Sequence, residues 1–141
     1  MSFSSPRSTR RSDSTVALCT RVPTLTASDT DAFLATESLD GVAGGRIGRV
    51  SLAGGPLVTV VDQLDSPGSF AVDGDTVFVV TRQASGTWAL ERVHGAERTL
   101  VPGGEIVSRN GCVFDSAAIY CSRPKDSGTN ADLVRIRRPM P

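Results

Sequence analysis

The chain has 141 residues, of which 39% are hydrophobic and 21% charged, so it can build one domain with a sizeable core and does not read as a disordered chain. Fifteen basic and fifteen acidic residues cancel to a formal charge of zero, which removes the electrostatic footprint of a nucleic-acid binder. No apolar run approaches the roughly 20 residues needed to cross a bilayer, so no membrane span is expected.

Met1–Ser14 is rich in Ser and Arg, and residues 1–14 read as a disordered leader. A twin-Arg export signal would need an apolar segment of about 7–15 residues. Only Val16–Cys19 is available before Arg21 interrupts, so the leader carries no recognisable export signal and the compartment stays unassigned. Thr15–Thr20 reads as a short strand.

From Thr24 the chain reads as hairpins. Thr24–Ala27 and Asp31–Thr36 flank a Ser28-Asp-Thr turn, whose side chains favour tight turns through local bonds. Glu37–Gly45 is polar and glycine-rich and is expected to be a loop. Arg46–Leu52 alternates as a half-exposed strand does, Ala53–Pro56 turns the chain, and Leu57–Val61 returns it. The second unit repeats this order with Ser69–Val72, Thr76–Arg82, Trp88–Val93 and Arg98–Val101. In the third, Gly111–Asp115 pairs with Ala118–Ser122, and a loop at Pro124–Asn130 leads to Leu133–Arg137. Gly and Pro punctuate every few residues and no segment sustains helical periodicity, which is an all-β pattern.

The hairpins recur. Phe33, Phe78 and Tyr120 lie 45 and 42 residues apart, while Arg49-Val50, Arg92-Val93 and Arg135-Ile136 keep an interval of 43. A period of about 40–45 residues is the signature of β-propeller blades. The expected fold is therefore a partial β-propeller of about three four-stranded antiparallel blades within 15–138, at 24–61, 69–101 and 111–138. Thr15–Thr20 would complete the last blade, within the chain or between chains. Phe33-Leu-Ala-Thr-Glu37, Phe78-Val-Val-Thr-Arg82 and Tyr120-Cys-Ser-Arg123 resemble degenerate YWTD-type repeats of bacterial six-bladed propellers, keeping the aromatic residue and usually the Thr or Ser. The resemblance implies a fold more than a function, because propellers host binding, scaffolding and catalysis alike. A closed ring takes about 4–8 blades. Either two chains complete six, or the sequence belongs to a longer one.

Five groups of residues invite a chemical reading. A two-residue loop at Ser116-Ala117 would set Cys112 opposite Cys121, where a cross-strand disulfide and a pair of buried thiols are equally admissible. Cys19 is left over, and a zinc site lacks paired Cys/His spacing. His94, the one histidine, sits at an outer turn rather than where a general base would work. Asp29/Asp31 and Asp73/Asp75 suggest calcium, but the third copy offers Asp115-Ser-Ala, so turn chemistry accounts for them better. Gly41–Gly48 lacks the strand-to-helix context of a nucleotide site, and Trp88 reads as packing between blades, with an exposed anchor for a partner as the alternative.

The basic cluster Arg135–Arg138 is expected to be a solvated tail. No catalytic, metal or cofactor residues are assigned. The expected function is a non-catalytic binding or scaffolding module, part of a larger propeller, met by a protein partner or by a second copy of itself. The alternative is a propeller hydrolase or lyase with a central-channel site, which would need titratable residues on Thr24–Ala27, Ser69–Val72 and Gly111–Phe114.

Overall fold

The computed structural model describes residues 24–39, 42–103, 105–124 and 131–138. The expectations for the leader, for Thr15–Thr20 and for most of the 124–130 loop lie outside the described residues.

Eleven strands and no helix make up the described residues, arranged as three antiparallel sheets. The first contains β1 (Thr24–Ala27), β2 (Asp31–Leu39), β3 (Val42–Ser51) and β4 (Val58–Leu64) in chain order. β5 (Phe70–Asp73), β6 (Thr76–Arg82), β7 (Trp88–His94) and β8 (Glu97–Leu100) form the second. Three strands form the third: β9 (Cys112–Phe114), β10 (Ala118–Pro124) and β11 (Ala131–Arg137).

Turn chemistry sets each inner hairpin. Ser28 Oγ accepts the Asp31 amide at 3.1 Å, and Asp115 Oδ1 accepts the amides of Ala117 at 2.8 Å and Ala118 at 2.6 Å. The second copy uses Gly74, at φ +57°, in a two-residue loop whose first position demands a positive φ.

The packing is propeller-like. Side chains alternate across a strand, so β6 offers one set to each neighbouring sheet. Val77 and Val79 join Phe33, Ile47 and Leu64 in one core between the first and second sheets. Phe78 and Val80 join Ile119 and Cys121 in another between the second and third. β6 is apolar on both sides because it has a sheet on both sides. The innermost strands converge, β1 against β5 and β5 against β9.

Two expectations are corrected. Glu37–Gly45 is not a loop: β2 runs on to Leu39 and β3 starts at Val42, with a bulge between Thr36 and Ser38. Gly45 pairs with Leu64 within the β3–β4 ladder, where a Cβ would lie 2.1 Å from the Leu64 carbonyl oxygen, so only glycine lets β4 approach. The expected solvated cluster at the end of β11 is also only partly so. Arg135 and Arg137 are exposed, but Arg138 has a side chain 16% exposed and packs against the second sheet.

Candidate functional site

A groove of about 650 Å³ opens where the three innermost strands meet. β1, β5 and β9 are all short strands, and the turns that follow β1 and β9 bring Ser28, Asp115 and Ser116 to its rim. Its wall is mainly hydroxyl and apolar, with Thr24, Thr26 and Ser69 beside Leu25, Phe70 and Val113.

Two charged side chains line this groove, Asp115 and Arg138, and both are engaged within the chain. The Asp115 carboxyl is held below the usual carboxylate range, chiefly by the Ala118 amide and then by that of Ala117. Partial desolvation opposes this, while Arg135 and Arg138 add a smaller attraction. Arg138 Nη1 lies 3.5 Å from Asp73 Oδ2, and its guanidinium sits 5.5 Å from the centroid of the Phe78 ring, within cation–π reach. Arg138 thus ties the third sheet to the second. The charge cluster alone hides this role, because the partners Phe78 and Asp73 lie on a neighbouring sheet far away in sequence.

His94 ends β7 and is exposed, with Nδ1 3.1 Å from Thr76 Oγ1 on the neighbouring strand. It does not line the groove. The Asp pairs serve turns and seams: Asp31 accepts from Thr30 Oγ1 at 2.7 Å, and Asp73 faces Arg138. Among the described residues no group of three or more His, Cys, Asp or Glu side chains could hold a metal ion. Gly41–Gly48 falls mostly within β3 rather than at a helix start.

Cys112 lies opposite Cys121, as Val113 lies opposite Tyr120 and Phe114 opposite Ile119. The two sulfurs are 2.08 Å apart, with a Cα separation of 4.2 Å. Trp88 is partly buried against the core between the second and third sheets, and its carbonyl accepts the Ile106 amide at 2.8 Å. Ile106 itself is 3% exposed in that core, a core residue that reading strands alone does not find because it sits in a connector.

A polar chain crosses the other seam. Thr81 Oγ1 donates to Glu91, Glu91 pairs with Arg98 at 3.2 Å, and Arg98 Nη1 donates to the Gln63 carbonyl of the first sheet at 2.8 Å. Comparison with protein-family models, with curated proteins and with solved structures gives no match.

Proposed function

We propose that the chain is a non-catalytic binding or scaffolding module that forms part of a larger propeller ring, built on degenerate YWTD-type repeats. The observation that carries this is the state of the two outer flanks. Leu25, on the first sheet's side away from the second, is 69% exposed. Leu133, on the third sheet's side away from the second, is 76% exposed. Leu34 and Val50 extend the first flank and Val113 the second into apolar patches, and a patch, unlike a single exposed leucine, marks an interaction surface. The groove supports the non-catalytic part of the reading, because its charged groups are already engaged in a turn and a seam rather than paired as base and nucleophile. No membrane span enters the reading: among the described residues no helix is long and apolar enough to cross a membrane.

Hydroxyl-radical footprinting of the full chain tests it, with buried Leu90 and exposed Leu100 as internal standards. Flanks covered in a ring oxidise slowly, at the Leu90 rate. Leu25 and Leu133 oxidising as fast as Leu100 would contradict the reading.

A further inference from the structure

We infer that what covers both flanks is a second copy of this chain, so that two chains close one six-bladed ring through two identical seams; the inference rests on reading the chain as a ring module. Strand register makes the three sheets comparable residue by residue, since directly opposed residues share a face. On the face turned toward the preceding blade, Leu25 is opposite Leu34 as Phe70 is opposite Val79 and Cys112 opposite Cys121. Val50, opposite Ala32, stands where Val93 and Ile136 stand. In the second and third sheets this set packs into an internal seam. In the first sheet it makes the outer flank.

The face turned toward the following blade repeats in the same way. Tyr120, opposite Val113, stands where Phe33 and Phe78 stand. Leu133, opposite Ser122, stands where Ile47 and Leu90 stand. Phe33, Ile47, Phe78 and Leu90 are buried in the two internal seams. The third sheet's set makes the other flank. Ser122 is a polar departure, standing where Ala35 and Val80 stand, and exposed Arg135, opposite Tyr120, stands where Arg49 and Arg92 stand.

The two flanks are therefore the two halves of one seam, carried at opposite ends of the stack. A single chain does not bring them together across three sheets stacked in sequence. A second copy supplies the missing half to each, the third sheet of one on the first sheet of the other and the reverse. That is the self-complementary exchange a two-fold axis requires. Twice three blades gives six, inside the range of about 4–8 at which such rings close.

Light scattering of the full chain tests this. The expected mass is twice the 14.8 kDa of one chain. Leu25→Asp and Leu133→Asp should each reduce it to one chain with an unchanged far-ultraviolet spectrum, because both residues are exposed within the chain and its fold does not need them. Leu100→Asp, also exposed but on the outer strand of the middle sheet, should leave it doubled. A wild-type chain of single mass, an assembly larger than two, or a pair indifferent to both flank substitutions overturns the inference. Single mass with slow oxidation of Leu25 and Leu133 leaves the ring-module reading standing without self-pairing. Single mass with fast oxidation removes both.

Discussion

Leu133 stands in the third sheet where Leu90 stands in the second, yet Leu133 is 76% exposed and Leu90 is 2% exposed. The same residue type at the same register position differs only in whether another sheet lies over it. Burial in this fold is decided between sheets rather than within them, and the consequences of substitution follow the same rule.

Phe78 fills the seam between the second and third sheets and is 1% exposed. Phe78→Ala should cost about 3–5 kcal/mol, combining lost burial with the cavity left behind. Val113→Ala, at an exposed outer-flank position, should stay within about 0.5 kcal/mol in urea unfolding of the Leu25→Asp background, where any pairing is removed. Equal losses at the two positions would mean that Phe78 does not sit between sheets.

Glu91 accepts from buried Thr81 and pairs with Arg98, which reaches across to the Gln63 carbonyl. Glu91→Ala removes the acceptor of the buried Thr81 hydroxyl and the carboxylate partner of Arg98, and should lower stability by about 1–3 kcal/mol. Glu91→Gln keeps an acceptor for Thr81 and should lose less. Thermal unfolding of the two variants decides, and a Gln variant as damaged as the Ala variant would place the weight on the ion pair instead.

The Cys112–Cys121 link closes a short loop between β9 and β10, nine residues apart in sequence. Its loss on reduction should destabilise the chain by about 2–3 kcal/mol on loop-entropy grounds. Without reductant, one of the three cysteines should react with a thiol reagent in the unfolded chain. Reaction of all three would show that the pair is held as thiols.

Asp115 caps its turn as a carboxylate, and folding lowers its pKa. Its contribution is therefore complete above the ordinary Asp value of about 3.9 and is lost as the pH falls through the lowered one. Against Asp115→Asn, the wild type should hold a stability advantage at neutral pH that shrinks in the acid range. Thermal midpoints across that range measure the difference, and an advantage independent of pH would remove the charge from the explanation.

Much of this was legible in the sequence because spacing carries it. The 43-residue interval of Arg49, Arg92 and Arg135 places them at one register position on β3, β7 and β11, each opposite the aromatic residue of its sheet. The unbroken apolar run Val77–Val80 announced a strand covered on both faces. Other features depend on contacts that no local pattern encodes. Gly45 looks like a loop residue until the Leu64 carbonyl is seen against it, and Ile106 is an isolated apolar residue in a connector until the seam closes over it. Arg138 looked like one more charge in a basic cluster. Only the position of Phe78 and Asp73 on the neighbouring sheet gives it a place.

The stacking of sheets on both faces of β6 is tested most directly by methyl contacts in solution. Nuclear Overhauser effects should run from Val77 and Val79 to methyls of Ile47 or Leu64, and simultaneously from Val80 to methyls of Ile106 or Ile119. Contacts from all three valines to one neighbouring sheet alone would describe two facing sheets instead, and would contradict the propeller-like arrangement.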